Sequence, residues 1–189
     1  MSRVPQQPAR EALSEAALEL FYQQGVANTS LADIAGAAGV PTGNVYYHFR
    51  SKEALVKAVI DKRIKQLNTL FAEADVHEKP LARLKAIIRD CRENAEARTA
   101  YGCPYASLLD DLSRHGSKHA PKTGSFIRLY VDYARKQFEA AGRGNEAEDL
   151  ALEFISRIQG AYVLGRSFAS SDMLVRQLDS LKAWLEAQV

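Results

Sequence analysis

The run Thr42-Gly43-Asn44-Val45-Tyr46-Tyr47-His48-Phe49 packs hydroxyl, amide, phenol and imidazole groups into about two helical turns. Asparagine and threonine match the donors and acceptors of base edges, and glycine lets a backbone come close. Tyrosine and histidine donate to phosphate oxygens. Lys52 follows at the expected start of another helix, where backbone amides already favour an anion. With Val45 and Phe49 turned to a local core beside Leu31, Ile34 and Ala35, the outer side shows Thr42, Gly43, Asn44, Tyr46, Tyr47 and His48. The other use open to these aromatics, Tyr46 above all, is to close a small three-helix core.

Other chemistry is thinner. His115 and His119 are four apart, but Gly116 and Pro121 break the helix that would align them on a metal. Asp110 and Asp111 are adjacent, so on a helix they diverge, whereas paired acid–base work needs convergence. No Gly-rich phosphate loop and no G-x-S-x-G elbow occurs. No catalytic residue, metal or cofactor is therefore expected. Cys103 stands at a helix start, where a thiol gains thiolate character; the alternative is a small buried apolar side chain. Cys91 falls on an apolar helix face and belongs to a core.

The elements that position these groups are all helical. Apolar residues recur at three- and four-residue spacing, with neither sustained alternation nor an Asn-Gly or Asp-Gly hairpin turn. About nine helices follow. The first runs over 8–24 and ends at Gly25. A short one over 31–38 carries the capping-box pair Ser30 and Asp33, and another covers 42–48. A long helix, 52–74, is capped by Ser51. Beyond it come 80–98, 105–113, 125–141, 146–168 with a box at Asn145 and Glu148, and a last helix from Ser171 or Asp172 to about 187. Residues 116–124 read as a connector.

The chain has 189 residues, 47% of them apolar and 25% charged, an ordinary globular composition. Arg157 and Arg166 interrupt the most apolar segment, so no stretch is expected to span a bilayer. The N-terminus lacks a signal-peptide core, and two cysteines are too few for a disulfide scaffold, so a cytoplasmic protein is expected. The net charge of +2 is unevenly spread. Residues 1–49 sum to −2, residues 50–65 to +4, and the remainder to zero. That basic cluster marks either a face for an anionic polymer or a solvated helix face.

The stretch from Ala27 to Ala35, followed by Ala38-Gly39-Val40-Pro41-Thr42-Gly43-Asn44-Val45-Tyr46-Tyr47-His48-Phe49-Arg50-Ser51-Lys52-Glu53-Ala54-Leu55, resembles the DNA-binding signature of the TetR family of bacterial transcriptional regulators. The likeness spans about residues 9–59. It implies an N-terminal helix-turn-helix domain, 1–52, linked through helix 52–74 to a helical effector-binding and dimerisation domain, 53–189. By position, Thr29 and Ser30 would touch phosphate, Thr42, Gly43 and Asn44 would approach base edges, and Tyr46, Tyr47, His48 and Lys52 would grip the backbone. Pro41 departs from the family's usual Ser or Thr cap, and a capping Thr42 would compete with its own base contact.

The resemblance also implies a repressor dimer on a palindromic operator, released by a small molecule. For the dimer face the last two helices offer Phe154, Ile155, Ile158, Ala161, Tyr162 and Gly165, then Leu174, Leu178, Leu181, Trp184 and Leu185; burial inside one chain is the alternative. For the effector pocket they and the middle helices offer Tyr101, Cys103, Tyr105, Phe126, Tyr130, Tyr133, Tyr162 and Phe168. With no charged cluster among these, a neutral, partly lipophilic effector is expected. The Gly102-Cys103-Pro104 break resembles one in a subgroup with electrophile- or oxidant-responsive members. Control by a protein partner or by modification of Cys103 stands as the alternative, and an enzyme that reused the fold as the third. The expected partners are double-stranded DNA, a second copy of the chain and the effector, with no membrane.

Overall fold

The computed structural model describes residues 6–188, and all regular elements among them are helical. In order they are α1 (Gln6–Gln24), α2 (Leu31–Ala37), α3 (Thr42–His48), α4 (Lys52–Asp75), α5 (Pro80–Glu93), α6 (Ala95–Tyr101), α7 (Pro104–Arg114), α8 (Ala120–Thr123), α9 (Ser125–Ala140), α10 (Ala147–Ser167) and α11 (Ser171–Glu186). The nine expected helices are all present, with two additions. Asn94 divides the 80–98 helix: its side-chain amide donates to the Asp90 carbonyl at 2.8 Å, a local bond that competes with a regular ladder. The second addition is the single turn α8 inside the connector. The box expected at Asn145 and Glu148 does not form. The chain tightens there into a 3-10 turn, Gly144–Glu146, and Glu146 takes the N-cap without a side-chain bond.

Two compact units result. One takes the residues up to Lys65 together with Ser107–Thr123; the other takes Gln66–Ala106 and the chain from Gly124 onward. The division thus falls inside α4 and again inside α7, not at the expected residue 52. In the first unit α1 packs on α2 and α3, and α2 on α3. Leu13, Ala17 and Phe21 are buried with Ile34, Ala35, Val45 and Phe49, and α4 adds Leu55 and Ile60. The returning segment contributes buried Leu108, Leu112 and Thr123. Each large apolar side chain so enclosed stabilises by about 1.5–3 kcal/mol.

In the second unit α10 lies against α6, α9 and α11, while α5 packs on α9 and α11. Phe138 meets Phe154 and Trp184 edge-on, at 6.5 and 6.3 Å between ring centres. This corrects the expected dimer face. Phe154, Ile155, Ile158, Ala161, Tyr162, Gly165, Leu174, Leu178, Leu181 and Leu185 are all buried within the chain itself. Trp184 is half-buried under the Arg157 guanidinium, 4.9 Å from its ring centre. The reason is that α10 carries apolar residues on two faces, and the one with Phe154, Ile155, Ile158 and Tyr162 is turned inward. The other leaves Leu152, Val163, Leu164 and Phe168 exposed.

Gly165 lies at a close approach of α10 to α11. A Cβ there would stand 2.8 Å from the Cβ of Leu174, an atom too near the backbone to swing away. Gly165→Ala is expected to destabilise the protein by about 1–3 kcal/mol through overpacking. Gly36→Ala, on a helix where an added Cβ meets nothing within 4 Å, should stabilise by about 0.5–1 kcal/mol. Denaturant midpoints at constant m-value check both, and equal effects would contradict the packing described.

Candidate nucleic-acid interface and internal cavity

The helix-turn-helix is assembled by local bonds. Ser30 caps α2: its hydroxyl accepts from the Asp33 N–H at 3.1 Å, and the Asp33 carboxylate accepts the Ser30 N–H at 2.8 Å. The Ser30 hydroxyl also donates to that carboxylate at 2.7 Å, and these bonds hold the Asp33 carboxyl below its usual range. Ser51 caps α4 through the Ala54 N–H at 3.3 Å. Pro41 stands at the N-cap of α3 without a side-chain bond, so proline starts this helix by its fixed φ alone.

Phosphate oxygens accept hydrogen bonds, so a residue that grips them needs a donor to spare. Thr29 is buried, and its hydroxyl donates to the Gly25 carbonyl at 2.7 Å. Ser30 is exposed, yet its hydroxyl and its N–H both donate to Asp33. As the two residues stand, they fasten the turn, and the phosphate contacts expected of their hydroxyls are not on offer. The second short helix is different. Val45 and Phe49 are buried, while Thr42, Gly43 and Asn44 are exposed, with Tyr46 at 60% and Tyr47 at 85% exposure. The option that Tyr46 closes the core is thereby excluded. His48 is partly covered, and the Lys52 ammonium donates to the Ala27 carbonyl at 3.4 Å.

The basic cluster of residues 50–65 is divided in its use. Lys62 is bonded to both Glu11 and Glu15 of α1, and the Arg63 guanidinium lies 5.4 Å from the Tyr22 ring centre. Arg50 and Lys57 instead border an open groove with Arg10 and His48. Arg10 stacks on Phe49 at 4.9 Å. Sequence reasoning passed over Arg10, which joins the α3 surface only through the fold.

Asp111, from the returning segment, closes on the turn after α1. Its carboxylate accepts the Val26 N–H at 2.7 Å and stands where a Cβ on Gly25 would crowd it at 3.3 Å. Gly25 has φ +85°, a conformation open to glycine at little cost. Lys118–Glu53 and Lys122–Asp61 add exposed ion pairs at 2.6 and 2.7 Å, secondary in strength to a half-buried bond.

The second unit holds a narrow, partly open cavity of about 10 Å³, room for one water. Four of the eight expected residues line it: Cys103, Tyr105, Tyr130 and Tyr162. Phe126 sits behind Tyr105, edge-on at 5.3 Å. Tyr133 stacks on Phe71 at 4.1 Å and donates to Asp75 at 2.7 Å, away from the lining. Tyr101 is half-buried outside the lining, and Phe168, 62% exposed at the end of α10, is far from an enclosed wall. Two hydrogen bonds end on thiols: Tyr162 Oη donates to Cys91 Sγ at 2.9 Å and Gln159 Nε2 to Cys103 Sγ at 3.5 Å. Burial pushes the Cys91 thiol up to about 12, and the Tyr130 and Tyr162 hydroxyls well above their ordinary range. Cys91 thus stays a neutral thiol. Arg98 and Gln159 went unassigned in sequence, and Cys91, expected in a core, is buried and lines the cavity, although Ile155, Ile158, Gln159 and Tyr162 share the spacing of one helix face.

Residues 13–59 match the family described as bacterial regulatory proteins, tetR family. The chain is 34% identical over 185 residues to an uncharacterised HTH-type transcriptional regulator from the lacX 3′ region of Lactococcus lactis subsp. lactis, covering 94% of this chain and 93% of that one. It is 33% identical over 159 residues to the HTH-type transcriptional repressor KstR2 of Mycolicibacterium smegmatis, covering 81% and 76%. A TetR transcriptional regulator from Legionella pneumophila superposes over the whole of both chains with a TM-score of 0.82 at 18% identity.

Asp111→Ala is expected to cost about 1–3 kcal/mol, since it strands the Val26 N–H, and to speed hydrogen exchange at that amide. Asp111→Asn keeps an acceptor and should change exchange far less. Unaltered exchange in Asp111→Ala would show that the carboxylate does not hold this turn.

Proposed function

The chain belongs to the TetR family of bacterial transcriptional regulators, and we propose that it works as a homodimeric repressor, released from a two-fold symmetric operator when a small molecule enters the cavity. The observation that carries this is the bare outer face of α3. Two tyrosines project into solvent over a helix whose inner residues, Val45 and Phe49, are fully enclosed. Exposed aromatics in such a row mark a surface awaiting a partner. Thr42 and Asn44 take the base edges, with Gly43 allowing close approach. Tyr46, Tyr47, His48 and Lys52 take phosphates, and Thr29 and Ser30 keep α2 in register.

A single short helix offers few base contacts, so two copies are needed for operator-level selectivity. The face that suits pairing is the exposed one of α10, where Leu152, Ser156, Gly160 and Val163 fall on one side of the helix. The ligand's leverage follows from how narrow the cavity is. A molecule larger than a water enters only by spreading the side chains around it, so it binds an arrangement that differs from the free one. Tyr105 stands in that wall near the start of α7, and Asp111 lies farther along the same helix.

Selection of genomic fragments with the purified protein at near-physiological salt should recover a two-fold symmetric motif, and small-molecule extract of the host should dissolve the complex. A folded dimer that enriches no motif would refute the reading. Tyr47→Ala should weaken all sequences alike and leave the salt slope nearly unchanged. Lys52→Ala should weaken them and lower the slope by about 1. Asn44→Ala should cost about 1–3 kcal/mol on the preferred site and relax its sequence preference.

A further inference from the structure

Arg10, His48, Phe49, Arg50, Lys57 and Asp61 line an open groove of about 300 Å³ in the first unit. That is the volume of several waters, so a phosphodiester group fits with part of its hydration. Three of the lining side chains are cations and one is an acid. Arg10 and Arg50 are exposed, and neither has a carboxylate within ion-pair distance among the described residues. The acid is already engaged from outside the lining. Asp61 accepts from Lys122 at 2.7 Å and lies 3.5 Å from Lys57. Arg10 is also prepared for one kind of contact. Its guanidinium carbon lies over the Phe49 ring, 4.9 Å from the centre, and Phe49 is only 2% exposed. A guanidinium laid on a ring still has its rim of N–H donors to offer, the fork that meets a phosphate in two parallel bonds. Phe49 is the C-cap of α3, so the position of Arg10 is referenced to that helix.

We infer that this groove is a phosphate seat, in which Arg10 and Arg50, together with Lys57, grip the DNA backbone beside the stretch that α3 reads. This rests on α3 reading DNA. It adds three residues that touch no base to the backbone contacts of Tyr46, Tyr47, His48 and Lys52. Phosphate presents the same oxygens in every sequence, so the seat adds affinity and fixes the approach of α3 without choosing bases. An arginine already held over a ring loses little rotamer freedom when it binds. Asp61 works against the seat, since its carboxylate borders the same groove and repels the backbone. The duplex is favoured over an anionic membrane because the groove adjoins the exposed hydroxyl, amide and phenol groups of α3.

Fluorescence anisotropy of the full-length protein tests this, on a duplex carrying the selected motif and on one of scrambled sequence, each across a salt series. Arg10→Gln and Arg50→Gln should each weaken both duplexes severalfold and lower the salt slope by about 1. The ratio between the duplexes should stay unchanged. Arg10→Lys should keep the slope and still lose affinity, because an ammonium cannot make the paired bonds. Arg92→Gln, an equal loss of charge in the other unit, should alter neither quantity. Asp61→Asn should tighten both duplexes, a gain that no misfolded protein gives. Slopes that ignore Arg10→Gln and Arg50→Gln, a changed ratio between the duplexes, or no tightening in Asp61→Asn would each overturn the inference. So would anionic phospholipid vesicles whose binding depends on Arg10 while that of DNA does not. The two readings fail separately. A wild type that prefers neither duplex defeats the reading by α3, whereas groove variants with unaltered slopes, beside a Lys52→Ala that lowers it, defeat the seat alone.

Discussion

The bond from the Val26 N–H to the Asp111 carboxylate ties a segment more than eighty residues distant in sequence to the turn that precedes the helix-turn-helix. A chain of about fifty residues buries a modest fraction of its surface and is marginal on its own. The DNA-reading unit meets that constraint by recruiting Ser107–Thr123, with Leu108, Leu112 and Thr123 enclosed and Asp111 satisfying a backbone donor. The left-handed Gly25 belongs to the same device, since a side chain there would crowd the carboxylate. The reading unit is thus discontinuous, and both α4 and α7 are shared between units.

Charge is used sparingly at this surface. The local excess of +4 over residues 50–65 is smaller in effect than in count, because Lys62 is taken up by two glutamates of α1 and Arg63 by an aromatic ring. What remains toward α3 is Arg10, Arg50, Lys52 and Lys57, with neutral hydroxyl, amide and phenol donors between them. So few cations mean a modest non-specific term on DNA, which in the reading proposed leaves discrimination to base contacts and to a second copy.

Legibility in the sequence tracked the range of the interactions. The capping pair Ser30 and Asp33, the Ser51 cap and the enclosed Val45 and Phe49 are set by neighbours within a few residues, and all were readable. The dimer face was misjudged because α10 is apolar on two sides. Nothing local distinguishes Phe154 and Ile158, which are buried, from Leu152 and Val163, which face solvent. The cavity was half legible. Tyr105, Tyr130 and Tyr162 fell on it, whereas Phe168 lies beyond the end of the packed helix and Tyr133 is drawn off by Asp75. Arg98 carries no local mark of burial, and only the turn at Asn94 and the approach of α10 enclose it.

The narrow cavity would also set a clock on the effector proposed for it. With room for about one water, it offers an incoming molecule no vacant space to fill, and entry waits on a spontaneous parting of the wall. At low concentration the rate of occupation rises in proportion to ligand. At high concentration it levels off at the rate of parting, whatever the ligand's chemistry. Occupancy by the proposed effector would therefore answer sustained levels of a compound and filter out bursts shorter than the opening time, a form of temporal averaging built from well-packed isoleucine and tyrosine side chains.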